Sequence, residues 1–137
     1  MMCEVSRDLR LSRMRAVFVP IQLQFFVVGL FFFFSAAGGH NQFLASTWGD
    51  FAYRFPATWW AGYGMAAAMI TYRGLIIPMK HRLIIAGSAI HCAQFLAVAY
   101  SAAFTGGDVV IALYALVMFL PLHVWLIVEA VKYGAGR

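Results

Sequence analysis

Four long apolar stretches, separated by clusters of charged residues, constrain the fold of this 137-residue chain more than any other feature. A helix needs about 20 apolar residues to cross a hydrocarbon core of about 30 Å. The stretches cover residues 16–39, 55–72, 83–104 and 109–131. Each is predicted to be a helix, because backbone groups in lipid must be bonded within their own segment, and no alternating pattern indicates a β-barrel. We therefore predict an all-α, polytopic integral membrane protein in which residues 1–137 form a single domain with four transmembrane helices.

The composition excludes most other classes of protein. Hydrophobic residues make up 64% of the chain and charged residues 11%, and the mean hydropathy is +0.81. These values lie far from those of an ordinary soluble domain. The abundance of apolar residues excludes a disordered chain, and two cysteines are too few for a disulfide scaffold.

The basic residues predict the orientation, since those that flank membrane helices are retained on the cytoplasmic side. Arg54 is the only one in the first or third connection. This bias predicts that both termini are cytoplasmic, in the inner membrane of a bacterium. The net charge of +5 is thus a topology signal with affinity for anionic lipid headgroups, and we expect no nucleic-acid partner. The nine basic residues on the cytoplasmic side are Arg7, Arg10, Arg13, Arg15, Arg73, Lys80, Arg82, Lys132 and Arg137.

Two alternatives concern the first stretch. The small residues 35–37 after an apolar run resemble a signal-peptide cleavage site, but a run of about 20 residues is longer than the usual apolar region of such peptides. We therefore favour an uncleaved helix. Met14 is an alternative start that would remove three of the four tail arginines. Either change leaves the last three helices intact.

Small residues on the second and third stretches indicate where helices pack. Lipid is as apolar as leucine, so membrane helices associate through close contact between small residues rather than through the hydrophobic effect. We expect these faces to pack within the molecule, with an interface between chains as the alternative. The residues are Gly62, Gly64, Ala66 and Ala68 on the second stretch, and Ala89, Ala93, Ala97 and Ser101 on the third.

Polar side chains inside the predicted spans lie at similar depths. His91 and His123 each fall about 12 Å from the cytoplasmic end of their stretch, at 1.5 Å per residue. Intramembrane polar groups are costly and turn inward, so a functional site is expected at this level. Pro121 frees the carbonyl of Val117, which we expect His123 or a glutamine to bond. The predicted polar layer contains Gln22, Gln24, Tyr63, His91, Gln94 and His123.

Three interpretations of this layer stay open. The first is a structural hydrogen-bond network. The second is a b-type haem with His91 and His123 as its axial ligands, which would make the protein an electron-transfer subunit. The third is a channel or transporter for a small solute or proton, lined by Gln22, Gln24, His91 and Gln94. A metal site is not expected, because no second ligand follows either histidine at i+3 or i+4.

The chain carries no motif of a known catalytic class: GxxxxGK[ST], HExxH, CxxC and GxSxG are all missing from the sequence. We therefore expect a non-enzymatic protein. In size and helix number it resembles the small membrane proteins of bacteriophages and other mobile elements, a likeness of architecture alone. The likeness implies lateral assembly, as a homo-oligomer, an accessory subunit of a membrane complex, or a pore-forming or exclusion protein. An outer aromatic rim around Trp48, Trp59 and Trp60 would add contacts.

Overall fold

A computed structural model describes residues 2–37, 57–76, 79–104, 106 and 108–135. The described residues form four helices and no strand, which confirms the predicted all-α fold. The predicted aromatic rim residue Trp48 lies outside the described residues. The helices are α1 (Met2–Ala37), α2 (Ala57–Leu75), α3 (His81–Phe104) and α4 (Val109–Ala135).

Three of the described helices are long and apolar enough to cross a membrane: Leu9–Ser35 within α1, α3, and α4. Their large apolar side chains point outward, with Phe31 69% exposed and Val117 71% exposed. Such surfaces suit lipid and not water, so the structure indicates an integral membrane protein. Helix α2 is not among the three; its 19 residues measure about 28 Å at 1.5 Å per residue. The count of four crossings therefore stays a prediction.

Helix α1 extends further into the basic tail than the sequence predicts, since it begins at Met2 rather than near residue 16. Arginine favours helix formation, and the tail has an apolar side that packs. Leu11 packs against the buried core and Met14 is 3% exposed, whereas Arg10 and Arg13 are exposed. The tail is therefore a continuation of the helix, with Arg10 and Arg13 on its outer side.

Contacts at the basic end show that successive helices run antiparallel. The Nε of Arg15, early in α1, donates to the carbonyl of Leu75 at the end of α2 over 2.8 Å. The ring of His81 at the start of α3 lies against Gly134 near the end of α4. Helices α2 and α3 are joined by residues 76–80 alone. Each helix packs along its neighbours in the sequence, and α4 also meets α1 through its aromatic side chains.

The core consists of two apolar clusters with polar side chains between them. At the basic end, Phe18, Leu75, Ile84 and Leu126 are fully buried. At the other end, Phe95 packs with Val98, Ala112 and Ala115. The first cluster draws on all four helices, so α1 is an integral part of the packing.

Helices α2 and α3 cross most closely where Gly87 meets the backbone of α2. A Cβ at Gly87 would lie 2.7 Å from the carbonyl oxygen of Ala67 and 2.7 Å from the amide nitrogen of Thr71. Thr71 is fully buried and donates its hydroxyl back to the carbonyl of Ala67, so its own polar group is satisfied. Glycine is required here because the two backbones approach without room for a side chain.

The predicted small-residue faces divide between the interior and the surface. Ala68 is 1% exposed and Ser101 is fully buried, and Gly64 faces the Gln94 side chain. The expectation of packing within the molecule also holds for Ala97, which packs against the core cluster around Phe95. It is wrong for the other four, because the close crossing uses Ala67 and Gly87 instead, on neighbouring helix faces. Gly62 has open space beside it, Ala66, Ala89 and Ala93 are exposed, and Ala97 is half-buried.

Candidate functional site

Three polar side chains from three helices meet in the core. Gln22 of α1 and His91 of α3 are each 1% exposed, and His123 of α4 is fully buried. The Oε1 of Gln22 lies 3.1 Å from Nε2 of His91, and its Nε2 lies 3.2 Å from Nε2 of His123. The Nδ1 of His123 lies 2.9 Å from the carbonyl oxygen of Phe119. We call these three side chains the polar network.

The acceptors fix where each proton lies in the polar network. The carbonyl of Phe119 can only accept, so Nδ1 of His123 carries a hydrogen. In a neutral imidazole the other nitrogen is then an acceptor, and it receives the amide N–H of Gln22. The amide oxygen of Gln22 in turn accepts from Nε2–H of His91. All donors thus point one way along the network, and both histidines satisfy these bonds without carrying a charge.

Four phenylalanines surround the polar network, and sequence analysis does not single them out. The ring of Phe25 lies 5.0 Å from that of His91 and 5.7 Å from that of His123. Phe95 stacks on His91 at 5.9 Å, and Phe18 meets His123 edge-on. The fourth phenylalanine, Phe119, contacts the rings of Phe25 and Phe95. For the two phenylalanines of α1, the sequence signal is their spacing from Gln22, since positions 18, 22 and 25 lie on one face of the helix.

The local geometry of α4 differs from the expectation drawn from Pro121. The helix makes a π-helical turn over Ala115–Phe119, where the N–H of Leu120 bonds the carbonyl of Ala115. Such wide turns relieve interruptions of helical bonding. His123 bonds the carbonyl of Phe119 rather than that of Val117. A side chain reaches the carbonyl four residues before it, and Val117 lies two residues further away.

Of the other three members of the predicted polar layer, Gln24 and Tyr63 lie elsewhere, whereas the side chain of Gln94 lies within hydrogen-bonding reach of His91. Gln24 is exposed, because two residues correspond to about 200° around a helix and Gln22 already faces the core. Tyr63 is 59% exposed on α2. Gln94 is half-buried and donates to the backbone carbonyl of Trp60 over 3.3 Å, which ties α3 to α2.

The polar network does not fit a haem. A bis-histidine haem places the iron and the macrocycle between two imidazoles. Here the two rings are in contact, with centroids 4.7 Å apart, and the Nε2 of each is engaged by the Gln22 amide. Within the described residues, no group of three or more His, Cys, Asp or Glu side chains could hold a metal ion.

The channel interpretation places Gln22, Gln24, His91 and Gln94 along one path, and the described residues do not bring all four together. Gln22 and His91 bond each other directly, while Gln24 lies on the surface. An amide in the middle of the network donates and accepts through different atoms, so it does not pass a proton between the histidines without rearranging. The arrangement is suited to holding three helices together.

A second feature is a groove of about 660 Å³ on the outer surface between α2 and α3. Its floor is made by the exposed small residues of α3, and its walls by aromatic side chains of α2. Tyr63 and the ring of Trp59, which is 65% exposed, rise beside this floor. We call it the α2–α3 groove; its lining residues are Trp59, Trp60, Tyr63, Ala89, Ile90, Ala93, Gln94 and Ala97.

The chain matches no family model, no curated protein and no solved structure. Its function is therefore argued from the polar network and the α2–α3 groove. The polar network fixes the helices, and the groove presents small residues to whatever lies beside the protein in the bilayer.

Proposed function

We propose that this chain is a small non-enzymatic multi-pass membrane protein that acts by lateral assembly, as a homo-oligomer or as an accessory subunit of a membrane complex. The observation that carries the proposal is the outward direction of Ala89 and Ala93 on the floor of the α2–α3 groove. Small residues in membrane helices let two backbones approach closely. In this chain the internal contact between α2 and α3 uses Gly87, so these alanines are left for a contact outside the chain.

The aromatic walls strengthen this proposal. A helix that enters the α2–α3 groove would lie on alanines and be flanked by Trp59 and Tyr63, whose rings supply large contact areas with few rotatable bonds. Gln94 lines the groove and is already held by its bond to Trp60. The groove therefore offers close packing in which Gln94 requires no new polar partner.

We also propose that the protein is a four-helix bundle with four crossings and both termini on the cytoplasmic side of a bacterial inner membrane. The support is the meeting of Arg15, the α2–α3 connection and the end of α4 at one end of the helices. Cytoplasmic retention of basic residues then orients that end inward. Reporter fusions at residue 1, after residue 50, after residue 76 and at residue 137 test this. Opposite locations for the two termini would contradict it.

The test of assembly is a pair of matched alanine substitutions in α3. Ala93→Phe fills the floor of the α2–α3 groove, whereas Ala103→Phe adds the same side chain at an exposed position outside the lining of the groove. The full chain is purified in a mild detergent and reconstituted in bilayers, and its mass is measured by light scattering. We expect Ala93→Phe to weaken association about tenfold or more, equivalent to at least about 1.4 kcal/mol.

Disulfide crosslinking gives an independent measurement. In a chain with Cys3 and Cys92 replaced by serine, Ala93→Cys is expected to crosslink to its partner under oxidation, and Ala103→Cys is not. A wild-type chain that is strictly monomeric in bilayers and copurifies with no other protein would overturn the proposal. Equal effects of the two phenylalanine variants would exclude the groove as the contact.

A further inference from the structure

The basic end of the protein carries a cluster of three cations around the connection between α2 and α3. Arg73, Lys80 and Arg82 are all exposed. The backbone N–H of Lys80 bonds the carbonyl of Gly74 over 2.9 Å, which holds Lys80 against the residue that follows Arg73. We call these three residues the basic turn.

The backbones on either side of the basic turn are in contact. A Cβ at Gly74 would lie 2.8 Å from the amide nitrogen of Ile84, two residues after Arg82. The amides of Leu83 and Ile84 both donate to the carbonyl of Lys80. These contacts keep the backbone positions of the three cations near one another. Like charges that lie close together repel, and an anion between them relieves the repulsion.

The described acidic side chains do not supply that anion. Glu129 of α4 lies at the same end, but its carboxylate is 2.9 Å from Nζ of Lys132. Asp108 caps the start of α4 at the opposite end, where it accepts from Val110 and Ile111. Arg15 is committed to the carbonyl of Leu75. Within the part of the chain whose side chains are described, no carboxylate neutralises the basic turn, so its charge is available to an anion from outside.

We propose that the basic turn binds the headgroup of an anionic phospholipid. The turn lies at the start of α3, which is long and apolar enough to cross a bilayer, so its cations are at the level of lipid phosphates. Arginine pairs with phosphate through two parallel hydrogen bonds. The basic turn supplies two arginines, Arg73 at the end of α2 and Arg82 at the start of α3. Charge complementarity selects an anionic lipid over a zwitterionic one.

Lipid binding to the full chain is measured by native mass spectrometry, with phosphatidylglycerol or phosphatidylcholine added to protein in a neutral detergent. We expect wild-type protein to prefer phosphatidylglycerol. Because each cation near an anionic headgroup contributes a factor of about five, Arg73→Gln with Arg82→Gln is expected to lower the affinity for phosphatidylglycerol roughly 25-fold. The matched control is Arg10→Gln with Arg13→Gln, which removes the same charge from the exposed side of α1 and is expected to have a much smaller effect.

The conservative variant Arg73→Lys with Arg82→Lys keeps the charge and is expected to retain the preference. Inorganic phosphate at millimolar concentration is expected not to displace the lipid. Equal losses in the two glutamine variants, no preference in wild-type protein, or displacement by phosphate would each overturn the proposal. If Arg73→Gln with Arg82→Gln does not fold, the lipid preference of the wild-type protein and of the lysine variant tests the proposal.

Discussion

The side-chain oxygen of Gln22 lies 3.1 Å from Nε2 of His91, 69 residues later in the chain and two helices away. Its amide nitrogen reaches His123 on a further helix, so one side chain connects α1, α3 and α4. In lipid the hydrophobic effect does not hold helices together, and such bonds between close-packed faces carry part of the stability. The polar network therefore ties α3, which forms one side of the α2–α3 groove, to α1 and α4.

Gln22→Leu is expected to destabilise the protein by about 2 kcal/mol, because it leaves Nε2–H of His91 and Nε2 of His123 buried without a partner. The measurement is reversible unfolding in mixed detergent micelles, followed by circular dichroism. Gln24→Leu makes the same change two residues away on the exposed side of α1 and is expected to be neutral or stabilising. Equal losses in the two variants would show that Gln22 has no special role.

Gly87→Ala is expected to destabilise the protein by about 1–3 kcal/mol, because the new methyl group would press on the backbone of Ala67 and Thr71. Neither backbone atom can move aside as a side chain does. Gly62→Ala is the matched control on α2, where a Cβ meets nothing within 4 Å. It is expected to be neutral or to stabilise by up to about 1 kcal/mol, because alanine favours the helix. Thermal unfolding of both variants in detergent tests the difference, and a stable Gly87→Ala variant would contradict the close crossing.

Arg15→Met is expected to cost about 1–2 kcal/mol of stability, since the carbonyl of Leu75 loses a charged donor at the end of α2. Methionine keeps an unbranched apolar side chain at this position and removes only the polar group. Arg13→Met changes the tail charge equally at an exposed position and is expected to have little effect. Unfolding measurements compare the two variants, and hydrogen exchange at the end of α2 is expected to rise only in Arg15→Met.

The direction of the polar network predicts different neutral tautomers for the two histidines. His123 carries its hydrogen on Nδ1 and His91 carries its hydrogen on Nε2. Nitrogen-15 NMR of histidine-labelled protein in bilayers distinguishes these forms, because protonated and bare ring nitrogens resonate far apart. Gln22→Leu is expected to perturb both histidines. A hydrogen on Nε2 of a neutral His123 would show that the network runs in the other direction.

Several features follow from the sequence because they depend on local composition. The helical class follows from apolar stretches that cannot form any other isolated structure in lipid, and three of the helices are long and apolar enough to cross a membrane. The depths of His91 and His123 follow from the constant rise of a helix, which is why residues from different stretches could be placed at a common level. The position of the basic residues at one end of the helices also follows from the sequence, because a short connection such as residues 76–80 makes the two helices that it joins run antiparallel.

Other features depend on how each helix is rotated about its own axis, and a helix that is apolar on all sides contains no signal for that rotation. Local composition is enough to predict the helical segments, their order and the level of the polar residues. The rotation of each helix is visible in the folded molecule alone, where Gln22 and not Gln24 faces the histidines, and Gly87 and not Ala89 lies at the α2–α3 crossing. The physical reason is that lipid and protein interior are equally apolar, so packing and hydrogen bonding choose the buried face.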